Sequence, residues 1–364
     1  MHTDDPELKR LVDRVQGARA ARTALDIRGG GTKLFYGEAA RGEPLDMRGL
    51  AGISSYEPSE LVVTARAGTP LAELEQVLAQ QGQCLAFEPP RFAPHGTVGG
   101  MIAAGLSGPA RASAGAVRDF TLGLSVLNGD GETLSFGGQV MKNVAGYDVS
   151  RLMAGSWGVL GAILEVSIKV LPVRPATATR CLDVGEPEAL DYLLRLAARP
   201  LPLHASAWLD GRLSVRLAGA RAAVEEAGAV LGGELLEAGA ADGWWTSIRD
   251  QRHEFFAFSP QQLSRGECLW RLSVPARTPP LALPGRQLIE WGGALRWWRG
   301  DAPAEVMREA AAGAGGHATL VRAADKRAGA FAPLPSTLMR IHRDLKAAFD
   351  PAGVFNPGRL YAGL

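Results

Sequence analysis

At 364 residues, 46% of them apolar, the chain is long enough for about two domains and a substantial core. Its 39 Lys and Arg nearly cancel its 38 Asp and Glu, and no long basic run appears, which argues against an electrostatic footprint for nucleic acid or an acidic membrane surface. No apolar stretch approaches the roughly 20 residues needed to cross a bilayer, and Cys84, Cys181 and Cys268 form no CxxC pair, so this chain alone builds neither a cysteine-ligated iron–sulfur cluster nor a zinc ribbon.

Residues 1–24 read as an amphipathic helix with Leu8, Leu11, Val12 and Val15 on one face, not as a signal peptide. With an odd cysteine count, this favours a reducing compartment. The expected location is the cytoplasm, with any attachment at the inner membrane made through a partner. Leu25 and Ile27 form a brief strand that runs into Arg28-Gly29-Gly30-Gly31-Thr32-Lys33. Residues 61–65 form another strand, and Thr69-Pro70 is expected to cap a helix whose apolar face is Leu71, Leu74 and Leu78. A hairpin is expected around Asn128-Gly129-Asp130-Gly131, and a strand in which Leu164, Val166, Ile168 and Val170 alternate with other residues ends at Pro172.

Beyond Pro172 and Pro175 the pattern changes to strand, helix, two strands joined at Asp210-Gly211, helix and strand near Leu235. That β-α-β-β-α-β order is ferredoxin-like. Further strands are expected at 268–274, 287–291 and 317–322, followed by a helix at 336–349 and a turn-rich tail. The expected division is residues 1–172, a second α+β unit at 173–330, and a C-terminal segment 331–364 that returns to the first unit.

Three consecutive glycines after a strand place backbone N–H groups where no side chain blocks them. Such a loop is either a cradle for a phosphate or pyrophosphate, with Arg28 adding charge, or a flexible turn. It is neither a Walker loop nor a GxGxxG dinucleotide fingerprint. The segment Thr97-Val98-Gly99-Gly100-Met101-Ile102-Ala103-Ala104-Gly105 serves close ligand approach or tight helix packing. Gly155-Ser156-Trp157-Gly158-Val159-Leu160-Gly161-Ala162-Ile163-Leu164 brings further glycines, with the same two readings.

It is the order of these clusters that carries information. Followed in turn by Val117-Arg118-Asp119-Phe120, Asn128-Gly129-Asp130-Gly131 and Lys142-Asn143-Val144-Ala145-Gly146-Tyr147-Asp148, and closed by Phe349-Asp350-Pro351 and Phe355-Asn356-Pro357-Gly358, the chain resembles the PCMH-type FAD-binding proteins of the vanillyl-alcohol oxidase family. The likeness spans residues 1–172 and 331–364. Within that family, residues 137–148 and the short chain look most like the E subunits of bacterial glycolate oxidases. The fold implied is α+β: a PCMH-type FAD-binding domain of two α+β subdomains with a ferredoxin-like antiparallel cap.

The resemblance implies FAD held non-covalently. Arg28, Gly29, Gly30, Gly31, Thr32 and Lys33 would hold its pyrophosphate, and Thr97, Val98, Gly99, Gly100, Ala103, Ala104, Gly105, Gly161 and Ile163 would line its remainder. Gly115 would stand on another wall, and Asn356 would approach from the tail. Covalently flavinylated relatives place a histidine where Thr32 stands, and a hydroxyl forms no histidyl bond. The implied chemistry is oxidation of a small 2-hydroxy acid such as glycolate, beside a larger flavoprotein subunit and an iron–sulfur subunit. A relay or scaffold role in that complex and a stand-alone FAD-linked alcohol oxidase are the alternatives. No metal site is expected, because His204, His253 and His317 form no HxH or ExH pair. Arg271, Arg299 and Arg322 are the candidates for meeting a substrate carboxylate. The eight tryptophans, all but Trp157 in the second unit, suggest a docking surface.

Overall fold

The computed structural model describes residues 5–138 and 148–364, so the signature stretch Lys142–Tyr147 lies outside the described residues. The first helix, α1 (Pro6–Ala21), starts at Asp5, whose carboxylate accepts the Glu7 and Leu8 N–H groups. It buries Leu8, Leu11, Val15 and Ala18 and stops at Arg22 in the left-handed region. A parallel pair, β1 (Leu25–Arg28) and β2 (Glu43–Asp46), follows. Next come β3 (Ile53–Glu57), β4 (Val62–Arg66), α2 (Leu71–Gln80), the short β5 (Gln83–Cys84), α3 (Val98–Ala104), and two single-turn helices, α4 (Arg111–Ala114) and α5 (Val117–Phe120). Strands β6 (Thr121–Leu127) and β7 (Thr133–Gly137), helix α6 (Val149–Met153), β8 (Ala162–Lys169) and β9 (Leu171–Pro172) complete this part.

Five strands form one antiparallel sheet in the order β3-β4-β8-β6-β7. Its one face packs under α2 and α3 through Leu74, Leu78, Val98 and Ile102. Its other face, at Leu127, Ala162 and Leu164, packs against α1 and the C-terminal Phe355. The regular alternation expected for Leu164 to Val170 breaks at Leu164. The β6–β8 register steps from Ile163↔Val126 to Glu165↔Ser125, so Leu164 is an extra residue and turns to the opposite face from Val166 and Ile168. Helix α2 is not capped by Thr69. That hydroxyl donates to the carbonyls of Gly52 and Arg66 and accepts from Gly52 N–H, tying two turns together instead, and Pro70 occupies the cap position.

The remainder builds an eight-stranded sheet from β10 (Ala176–Asp183), α7 (Glu186–Ala197), β11 (Leu203–Leu209), β12 (Arg212–Gly219), α8 (Arg221–Leu231), β13 (Glu234–Leu236), α9 (Ala238–Arg249), α10 (Pro260–Ser264), β14 (Cys268–Ser273), β15 (Arg286–Glu290), β16 (Leu295–Gly300), α11 (Ala304–Gly313) and β17 (His317–Arg322). The order is β13-β10-β12-β11-β15-β16-β14-β17; its first four strands follow the ferredoxin-like arrangement and the last four extend it. Sequence reading misses α9, whose glycines hide its period, and also α10, β16 and α11. It takes the Trp297-Trp298 pair of β16 for an interface signal. In a strand, neighbours face opposite ways: Trp298 is buried under α11 with Trp270, while Trp297 faces the other layer with Leu269 and Leu288. Trp245, Trp270, Trp291, Trp297 and Trp298 are all buried. These five tryptophans therefore form core, while Trp157, Trp208 and Trp244 are half-buried.

The chain closes with α12 (Ser336–Phe349) and a tail that lies against β1: Leu25 N–H donates to Val354, and Asn356 N–H donates to Leu25.

Candidate functional site

The cleft sits where β1 ends. Gly29, Gly30 and Gly31 form one wall, Thr97, Gly99, Gly100, Ala103 and Ala104 of α3 a second, and Trp157, Gly158, Gly161 and Ile163 a third, with Asn356 and Arg359 at the tail side. Together with the solvent at its mouth it encloses about 800 Å³. Glycine is needed here for two reasons. Gly31 has φ +66°, a left-handed conformation, and a Cβ on Gly30 would land on the His95 carbonyl oxygen. At Gly100 an added Cβ would touch only Thr97 Oγ1, at 3.2 Å.

Charge is concentrated beside the glycine loop. Arg28 is paired with the buried Asp26. Among the described residues Lys33 has no acid partner, its Nζ lying 3.4 Å from Thr32 Oγ1 and 5.6 Å from the Phe92 ring centre, and burial pulls its pKa down to about 8. Arg359, missed by sequence reading, lines the same cleft with 4% exposure. One nitrogen lies 3.4 Å from the Lys33 carbonyl, the guanidinium covers Trp157 at 5.3 Å, and Nη1 is buried without a partner among the described residues. Two under-compensated cations and a glycine wall fit a diphosphate: anionic oxygens laid here would supply the missing acceptor of Arg359 and hold Lys33 in its charged form. The only cue to Arg359 in the sequence is its place just after Asn356-Pro357-Gly358.

Asn356 lines the cleft, but its amide is used internally. Its Oδ1 accepts Ile27 N–H at 2.7 Å, and its Nδ2 donates to the Trp157 carbonyl at 2.6 Å, so it braces β1 against the Trp157-Gly158 turn. Three expected lining residues stand elsewhere. Val98 points into the core under α3; Gly105 ends α3 at φ +65° against Gly155; Gly115, at φ +104°, packs against Asp119 and Phe120. A helix turns successive residues by about 100°, so α3 offers the cleft only part of its surface.

Behind the Trp157 wall, Tyr36 stacks on Trp157 at 5.1 Å and 9°. Lys326 holds this segment in place by donating to the carbonyls of Phe35, Gly37 and Val321. The three candidate arginines have different surroundings. Arg299 donates to the carbonyls of Glu254 and Phe255 and to Glu267, and caps Phe258 at 4.2 Å, so its donors are spent within its own layer. Arg322 lies 3.9 Å from the Phe35 ring centre. Arg271 faces a small pocket between the two sheets, lined also by Ser107, Gly108, Gln251, Glu290 and Trp297. Trp291 anchors this boundary by donating to Gly108 O at 3.0 Å.

Glu290, which sequence reading does not single out, is buried with Trp297 Nε1 donating to it at 2.8 Å. Burial raises its pKa from 4.5 to about 7, against the opposing pull of Trp297 and Arg271. The folded state therefore holds this proton more tightly than the unfolded chain. That stability is complete below pH 4.5 and is lost as pH rises through about 7. Glu290→Gln, neutral throughout, is expected to gain on the wild type between pH 5 and 8 by up to about 3 kcal/mol. Denaturant melts across that range check this; a pH-independent difference would contradict it.

Comparison with known proteins agrees with this geometry. Residues 7–137 match the family described as FAD binding domain. The chain is 44% identical over 354 residues to glycolate oxidase subunit GlcE of Escherichia coli (strain K12), covering 97% of each. It is 30% identical to a D-lactate dehydrogenase of Archaeoglobus fulgidus over 49% of this chain and 40% of that one. Among solved structures, an alkyldihydroxyacetonephosphate synthase superposes with TM-score 0.67 at 16% identity, over 96% of this chain and 74% of that one, which establishes a shared fold. The chain belongs to the FAD-binding, PCMH-type flavoprotein oxidoreductases, on the branch of the glycolate oxidase E subunit.

Proposed function

We propose that this chain is the FAD-carrying subunit of a complex that oxidises glycolate or a closely related small 2-hydroxy acid, working with a larger flavoprotein subunit and an iron–sulfur subunit. FAD lies non-covalently in the glycine-lined cleft, where it supplies a hydride acceptor. The observation that carries this reading is the buried Nη1 of Arg359, without a partner among the described residues, in a cleft that also holds Lys33 and the glycine wall. Gly29, Gly30 and Gly31 offer N–H groups to the pyrophosphate, Lys33 and Arg359 offset its charge, and Asn356 keeps the Trp157 turn against β1. Thr32 offers no nucleophile for a histidyl linkage. Among the described residues no helix is long and apolar enough to cross a membrane, and attachment at the inner membrane runs through the partner subunits.

The purified chain is expected to be yellow and to release all its flavin into the supernatant on acid precipitation; colourless protein refutes the FAD site, and flavin left in the pellet refutes non-covalent attachment. Arg359→Met should weaken FAD retention on the order of 10- to 100-fold, the worth of a charge-assisted hydrogen bond. Anaerobic glycolate should bleach the isolated chain. Bleaching that occurs only with the partner subunits present would assign it the relay or scaffold role instead.

A further inference from the structure

Another pocket lies at the β17 edge of the larger sheet and shares no residue with the glycine-lined cleft. Leu263 of α10, Cys268 and Trp270 of β14, Ala304 of α11, Leu320 of β17 and Ala328 of the loop after it are among its walls. Together with the solvent at its mouth it encloses about 660 Å³. Most of its polar side chains are satisfied: Asp325 pairs with Arg327 at 2.7 Å, Ser264 Oγ donates to the Gln261 carbonyl at 2.9 Å, and Cys268 Sγ donates to the Gly300 carbonyl at 3.4 Å. Trp270 is the exception. It is 1% exposed, and its Nε1 is buried without a hydrogen-bond partner among the described residues. Burial raises the pKa of the neighbouring Cys268 thiol and the indole partly offsets that rise, but the thiol does not satisfy the N–H. A buried donor with no acceptor is unfavourable, and a ligand that brings the acceptor recovers that loss.

We propose that this pocket binds a compact, uncharged, mostly apolar compound with one carbonyl group, which accepts the Trp270 N–H, and that its occupant braces the loop behind the wall of the cleft. The walls select the ligand. Leucine and alanine side chains favour apolar surface. Among the described residues no lysine or arginine lines the pocket, so an anion would lie unpaired beside Asp325, and a cation would have to displace Arg327. A single neutral acceptor matches the single free donor. The bracing follows from the loop itself. Ala323, Ala324 and Ala328 line the pocket, and between them Lys326 donates to the Phe35 and Gly37 carbonyls on either side of Tyr36. Tyr36 stacks on Trp157, which lines the cleft, and Arg308 ties the far end of the loop through the Gly329 and Phe331 carbonyls. A ligand packed on this loop restricts it to the arrangement that the stack requires, so FAD leaves the cleft more slowly. The bracing rests on the FAD reading above; the binding site does not.

The test follows the indole N–H resonances of the FAD-loaded chain by NMR during titration with cyclohexanone and with methylenecyclohexane, which keeps the ring but has no carbonyl. Trp270→Phe identifies the Trp270 resonance among those of the eight tryptophans. Cyclohexanone should move it downfield and saturate with a dissociation constant on the order of 1 mM, whereas methylenecyclohexane should cause no downfield shift. The ratio of ketone to alkene affinity should fall about tenfold in Trp270→Phe, the worth of the hydrogen bond. Ala304→Leu fills the pocket and should bind neither compound; if Trp270→Phe does not fold, loss of the shift in Ala304→Leu carries the test, with the melting temperature reporting folding. Saturating cyclohexanone should slow FAD release on the order of fivefold in the wild type and not in Ala304→Leu. A Trp270 resonance that ignores cyclohexanone, leaving water as the occupant, or unchanged binding in Ala304→Leu would overturn the proposal, and unchanged FAD release would overturn the bracing. Colourless protein overturns the cofactor reading together with the bracing, while the indole titration still decides the binding site.

Discussion

Lys346→Met is expected to destabilise the chain by about 3–5 kcal/mol and to release the flavin with it. Lys346 of α12 is 8% exposed, and its ammonium reaches three acceptors: Asp350 Oδ2 at 2.6 Å, the Phe355 carbonyl at 2.7 Å and the Val159 carbonyl at 2.8 Å. Asp350 in turn accepts Val354 and Phe355 N–H at 3.0 and 2.8 Å. This one ion pair therefore fastens the tail to the turn before β8 and fixes the segment that pairs with β1. Burial holds the Lys346 ammonium below its ordinary pKa, against the attraction of Asp350. Methionine fills the volume but leaves the Asp350 charge and two carbonyls buried with fewer donors, and that unmatched desolvation sets the size of the effect. Denaturant melts of the flavin-free protein measure it; a loss below about 1 kcal/mol would show that water reaches the pair.

Gly30→Val should abolish flavin retention, and by a route that sequence reading does not foresee. From sequence, a side chain at this position is expected to obstruct the pyrophosphate directly. In the folded chain the added carbon meets the His95 carbonyl instead, a main-chain group that cannot rotate away. The glycine loop and the 95–97 segment must then separate, at a cost of about 1–3 kcal/mol in the flavin-free protein, and the walls of the cleft part with them. Gly100→Leu is the contrasting variant. Its Cβ meets only Thr97 Oγ1 and otherwise points to open space, so it should lose flavin with nearly unchanged stability of the flavin-free chain. Visible absorbance and melting of both variants separate the two routes. Wild-type flavin content in Gly30→Val would remove the loop from the site.

The site as proposed divides its work between positions that are legible locally and positions that are not. Gly29, Gly30 and Gly31 announce themselves because a glycine run after a strand is a backbone statement. Lys33 sits beside them, but its burial over Phe92 with no acid beside it among the described residues is a matter of tertiary packing. Val98 and Gly105 share a glycine-rich segment with Gly99 and Gly100, yet helical rotation sends them into the core and to the helix end. Arg271, Arg299 and Arg322 look equivalent along the chain. Only Arg271 reaches the pocket between the sheets, since Arg299 is claimed by Glu254, Phe255 and Glu267, and Arg322 by the Phe35 face.

The sequence by itself determined the α+β class, the ferredoxin-like order of the first four strands in the larger sheet, and the family, because turn glycines, strand and helix periods and the order of short segments are local properties of a chain. Only the folded chain shows that Arg359 and Lys33 share one cleft with no acid partner among the described residues, that Trp297 and Trp298 belong to a buried strand, and that Glu290, Gln251 and Arg271 line one pocket. Those facts concern desolvation and the presence or absence of a partner far away in sequence. No local pattern encodes them, and it is there that the chemistry of this protein is set.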